Sequence, residues 1–251
     1  MPVSSPPPRK LAFIAGVFWI VTFVASIPAL LLYAPVLNHV HYVLGAGSDT
    51  RIAVGAFLEV ILAIAGIGTA VTMFPIVKRH NESLALGFIA SRVLESTIIV
   101  VGIISVLSVV TLRKDIGGAG ASDPASLLLA GRSLVAIHRW TFLLGPGVCA
   151  GLGNGLLLGY LMYRSELVPR RMALLGLLGG PLLLVSCTAV LFGSFKQTSG
   201  VAGLLTVPEF LWELSLGIYL IANGYRTSSP VLDTRPTAAN REVLTPVVGR
   251  A

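Results

Sequence analysis

Charge is what this chain has least of. Only 12% of its 251 residues are Asp, Glu, Lys or Arg, about half the share of a water-soluble domain. So little charge cannot cover a soluble globule of this length, and a soluble fold is excluded. Cysteine is nearly missing too. Cys149 and Cys187 each lie inside an apolar run, which leaves no disulfide framework and no paired-cysteine metal site. Both read as small packing residues. No lysine stands inside an apolar run, so none is placed to hold a Schiff-base cofactor. A Gly-x-Ser-x-Gly nucleophile, a Walker motif and a dinucleotide fingerprint after a strand are all absent. No catalytic residue and no cofactor is expected, and the balance tilts away from an enzyme.

What is present is apolar sequence in long blocks. Hydrophobic residues make up 55% of the chain and the mean hydropathy is +0.86. Six blocks are long enough to cross a bilayer, where about 20 residues suffice. They run from Leu11 to Ala34, Ile52 to Val77, Leu84 to Leu112, near Leu134 to Arg164, Met172 to Phe195, and Val201 to Ala222. The first is too long for a signal-peptide core and reads as an uncleaved span. Met1 to Lys10 and the chain from Arg226 onward are polar and proline-containing, a composition that cannot bury enough apolar surface to order itself. The expected organisation is a tail at 1–10, a membrane domain at 11–225 and a tail at 226–251. Arg113 to Arg132 reads as the longest loop, with Asp123-Pro124 as a helix start.

The fourth block is unusual. Gly147, Gly151, Gly155 and Gly159 recur every four residues, which on a helix makes one bare ridge for another helix backbone to press against. In water each glycine would cost a helix about 1 kcal/mol relative to alanine. In lipid the helix survives, because its backbone has no other hydrogen-bonding partners. Pro146 in this block and Pro181 in the fifth each remove a backbone hydrogen bond and invite a bend.

The net charge of +7 does not point to nucleic acid, since the basic residues flank the apolar blocks instead of forming one patch. Six spans leave both tails on one side. Eleven of the 18 Lys and Arg fall on that side, so the positive-inside rule puts both tails in the cytoplasm.

Polar groups inside the spans are few and expensive, at about 2.5–3.5 kcal/mol for a charge near the bilayer centre on insertion scales. They are Glu59, Arg92, Glu95, Asn154, Glu209 and Glu213, with His138 and Arg139 at the outer mouth. Arg92 and Glu95 are three apart and can pair. Glu209 and Glu213 share a face and repel. Four carboxylates against Arg92 and Arg139 do not balance, so the second, third, fourth and sixth spans are expected to line a polar cavity open to the outside. One reading is a small-molecule or proton-linked transport or binding site. A second is a non-catalytic interaction or scaffold protein whose buried pairs only set helix register. A third, an outward-facing metal hydrolase, would need His39, His41 and His138 to converge with Glu59 or Glu209. No metal site is assigned.

Ser91-Arg92-Val93-Leu94-Glu95, His138 before the glycine-rich block, Leu157 to Tyr160 running into Tyr163-Arg164-Ser165, and Val168-Pro169-Arg170 form one half of a pattern. Gly176, Gly179-Gly180-Pro181 and Pro208-Glu209 with Glu213, Leu216 and Gly217 form the other. Together they resemble the bacterial multi-span membrane family catalogued as domain of unknown function 4386, over about Leu11 to Tyr225. The resemblance implies a bacterial inner-membrane protein and carries no activity with it. The expected fold is all-α: a polytopic six-helix bundle whose partners are the lipid bilayer and a small ligand or proton.

Overall fold

Six helices long and apolar enough to cross a bilayer make up most of the computed structural model, which describes residues 7–45, 48–118 and 123–232. We label them α1 (Pro8–Asn38), α2 (Asp49–Val77), α3 (Glu82–Gly118), α4 (Pro124–Ser165), α5 (Arg170–Leu191) and α6 (Gly200–Ala222). A 3-10 turn at Val40–Leu44 joins α1 to α2.

Several starts are set by side chains that satisfy orphan backbone N–H groups. The Ser48 hydroxyl accepts from Arg51 N–H and the Ser199 hydroxyl from Ala202 N–H. The Asp123 carboxylate accepts from Ala125 and Ser126, with Pro124 in the first turn. Hydrogen bonding to these donors holds the Asp123 carboxyl below its ordinary pKa.

Three expected boundaries move. Pro8 to Lys10, assigned to the tail, form the first turn of α1. The fourth helix begins at Pro124 instead of near Leu134 and continues for 42 residues, about 63 Å at 1.5 Å per residue. Its early turns are amphipathic, and Leu127 and Gly131 bury one face against the 3-10 turn, where Gly131 lies beside Val43. The stretch Arg113–Arg132, expected from composition to be a loop, is therefore mostly helix; residues 119–122 lie outside the described residues. Arg226 to Leu232, assigned to the second tail, pack on the turn after α4. Arg226 N–H donates to the Leu167 carbonyl and the buried Ser229 hydroxyl donates to Ser165 O at 2.6 Å. Residues 1–6 and 233–251 lie outside the described residues.

Each helix packs on its neighbours in sequence, and α6 returns to α1 to close a ring. Helix α4 leans inward and also touches α2 and α6; 61% of its most apolar window is buried, against 28–50% in the others. Both described ends lie on one face, where Arg9 donates to the last carbonyls of α6, Ile221 and Ala222. On the opposite, far face Arg51 donates to Leu31 O at 2.9 Å. That carbonyl would otherwise bond the N–H of residue 35, which is proline and has none.

The core is one body on the tail side, centred on Trp19, Met73, Phe88, Leu158 and Trp212. Toward the far face it splits. One cluster joins α1, α2 and α3 around Tyr33, Ile52 and Ile99, and another joins α4 to α5 around Leu143, Leu183 and Cys187.

Candidate functional site

A cavity of about 190 Å³ lies in that split, and all six helices contribute to its wall. Four acidic residues from three helices meet there: Glu59 from α2, Glu95 from α3, and Glu209 and Glu213 from α6, with Arg92 and His138 beside them. At its far end a larger hollow of about 1000 Å³ shares Leu30, His138 and Phe142 with it and is bordered by Arg139 and Lys196.

Helix α4 shapes this cavity through its backbone. Leu143–Cys149 and Gly151–Leu158 are π-helical, with bonds reaching five residues back, as from Ala150 N–H to Gly145 O. Such widened turns are rare and recur at functional sites. Two of their carbonyls accept from side chains of neighbouring helices: Cys149 O from the Ser91 hydroxyl at 2.8 Å, and Asn154 O from the Trp212 indole at 2.9 Å. The four glycines lie along α5. A methyl on Gly147 would sit 2.6 Å from Cys187 Sγ, and one on Gly151 3.1 Å from Gly180 O. On Gly155 it would sit 2.3 Å from Gly180 Cα, and on Gly159 3.1 Å from Leu177 N. Backbone meets backbone here. The same gap at Gly155 and Gly179 makes room for the Glu209 carboxyl.

Arg92 is held from three sides. Its Nη1 donates to Glu95 Oε2 at 2.7 Å, its Nε faces Gly66 O and Thr69 Oγ1 at 3.3 and 3.2 Å, and its guanidinium lies 5.0 Å from the Trp19 ring centre. Asn154 stands behind the wall instead of in it, and its Nδ2 donates to Glu213 Oε1 at 2.6 Å. Glu209 differs from the rest: it is 2% exposed and neither carboxyl oxygen has a hydrogen-bond partner. Glu59 has one such oxygen. The Tyr33 hydroxyl approaches Glu59 without forming a full hydrogen bond, and the Tyr33 ring meets His138 edge-on, centroids 5.5 Å apart.

Arg139 does not join this group. One residue along the helix from His138, it turns outward, donates to Leu37 O at 3.1 Å and borders the far hollow. That leaves Arg92 as the arginine against four carboxyls. Helices α1 and α5, absent from the expected wall, also contribute, notably Thr22 and Phe23 of α1. These residues carry no charge, so nothing in the sequence marked them; only the packing of α1 between α2 and α6 places them. Among the described residues no three His, Cys, Asp or Glu side chains converge as metal ligands do. His138 is buried in the cavity wall while His41 is exposed at the far face.

A family model described as Domain of unknown function (DUF4386) matches residues 14–224. The chain belongs to that family. The match spans all six helices, so the cavity and the glycine seam both fall inside the family's domain. No curated protein and no solved structure matches the chain.

Proposed function

We propose that this multi-pass membrane protein of the DUF4386 family binds a small solute within the bilayer, in a transport or uptake role that is coupled to protons through the cavity carboxyls. The excess of Lys and Arg on the tail face supports an orientation with both tails cytoplasmic and the far hollow facing out. One observation carries the binding reading: three buried acidic side chains and the half-buried Glu213 converge with one arginine on a cavity, and Glu209 has no partner for either oxygen. A bundle that used its acids only to lock helices together would pair them. Intramembrane ionisable residues are also a general mark of substrate and proton paths.

The rival reading, a non-catalytic interaction or scaffold protein, draws support from Arg92. Its contacts to Glu95, Gly66 and Thr69 fix the register of α3 on α2. The two readings part on one experiment: thermal-shift screening of the purified protein against a metabolite library, beside Glu213→Gln. A bound ligand at 100 times its Kd stabilises by about 2.7 kcal/mol. The binding reading expects a hit on the wild type and a reduced response in a folded Glu213→Gln. A library with no hit, together with a variant that fails to assemble, supports the rival.

A further inference from the structure

The cavity's chemistry narrows the class of solute, an inference that rests on the binding reading above. Its positive charge is already engaged: Arg92 is bonded to Glu95 and to groups of α2. The Asn154 amide is bonded to Glu213. His138 Nδ1 faces the Gly102 carbonyl at 3.4 Å. No donor is left facing Glu209, a residue of the cavity wall whose two oxygens are buried and unpartnered. A carboxyl in that setting is best matched by a group that brings its own N–H donors and a positive charge. An ammonium supplies three donors and no acceptor.

The remainder of the wall is mostly apolar, and the hydroxyls of Thr22, Ser26, Thr141 and Thr206 in it each donate to a carbonyl of their own helix. Phe210, next to Glu209 in sequence, meets Phe23 edge-on with ring centroids 5.1 Å apart, and both rings line the cavity with Leu62, Ile99 and Leu183. Aromatic rings attract organic cations through their negative faces. A hard metal cation fits poorly, since it takes about six or more oxygen ligands and the wall is mostly carbon. Size sets the other limit: about 190 Å³ is below the roughly 300–1,000 Å³ of pockets for drug-sized ligands.

We propose that the cavity binds a small organic ammonium, its nitrogen at Glu209 and its apolar body against Phe23 and Phe210. Three probes of one shape separate the possibilities: phenethylammonium, 2-phenylethanol and phenylacetate, titrated calorimetrically into the purified full-length protein in detergent, with NaCl and KCl as inorganic controls. Phenethylammonium is expected to bind at least tenfold more tightly than 2-phenylethanol, and phenylacetate more weakly than either. Glu209→Gln should bring the ammonium down to the level of the alcohol while leaving the alcohol unchanged, a change of selectivity that a merely structural role would not produce. Phe210→Ala should weaken ammonium and alcohol alike. Should Glu209→Gln fail to fold, Glu59→Gln takes its place, with a smaller loss of the same selectivity expected.

Equal or tighter binding of phenylacetate overturns the proposal. So does an unchanged ammonium affinity in the glutamine variant, binding of none of the three probes, or stabilisation by Na⁺ or K⁺ that phenethylammonium does not compete away. Hits confined to anions or neutral compounds in the metabolite screen would remove the ammonium and keep the binding site. A screen with no hits would remove both.

Discussion

A single methyl group on Gly155 probes the seam between α4 and α5. In Gly155→Ala the new carbon would lie 2.3 Å from Gly180 Cα and 2.7 Å from Gly180 N, where carbon contacts are normally about 3.5–4.0 Å. The Glu209 carboxyl, 2.6 Å from that carbon, can swing away, but Gly180 is backbone and cannot, so the helices must part by roughly 1.2 Å to restore contact. Overpacking of this kind costs about 1–3 kcal/mol, against a helix-propensity gain of up to about 1 kcal/mol for alanine. The expected net loss is about 1–2 kcal/mol, or a fall of roughly 2–8 °C in Tm for a chain of this size. Gly203→Ala is the matched control, because nothing lies within 4 Å of its added carbon. It keeps only the propensity gain, so its Tm should be unchanged or higher. Thermal unfolding of the detergent-solubilised protein, followed by tryptophan fluorescence, measures both. A Gly155→Ala protein as stable as wild type would refute backbone contact between the two helices.

Other perturbations test separate parts of the molecule. Arg92→Ala strands Glu95 as a buried charge without its partner, at an expected cost of about 3–5 kcal/mol in reversible denaturation; Arg92→Met with Glu95→Leu should recover most of it. Trp212→Phe removes the indole donor from Asn154 O and is expected to cost about 1 kcal/mol, with no loss if the widened turn finds another donor. Asp123 is acidified in the fold by the Ala125 and Ser126 donors. Its stabilising contribution is therefore complete above the ordinary carboxyl range near pH ~4 and is lost as pH falls through the lower native value. Asp123→Ala should abolish that acid-side slope, which hydrogen exchange at the start of α4 would read.

Much of this was legible from residue chemistry. Six apolar blocks had to be helices, because a bilayer offers backbone groups no partner of its own. The i,i+3 spacing of Arg92 and Glu95 is local, and so is their ion pair. What escaped was rotation and distance. His138 and Arg139 are adjacent, yet a step of about 100° around the helix sends one into the cavity and the other to its rim. Polar composition pointed to loop between Arg113 and Arg132, but burial of Leu127 and Gly131 keeps the chain helical there.

The sequence by itself determined the medium, the number of helices, the bare edge of α4 and the short list of polar groups that needed shelter. Those properties depend on local composition and period, which a linear reading captures. Only the tertiary structure decided that α6 closes on α1, that α4 widens into π turns, and that Glu209 is left without a donor while Glu213 receives Asn154. Each of those depends on where distant segments lie when their backbones touch, and the chain specifies that only through the simultaneous packing of all six helices.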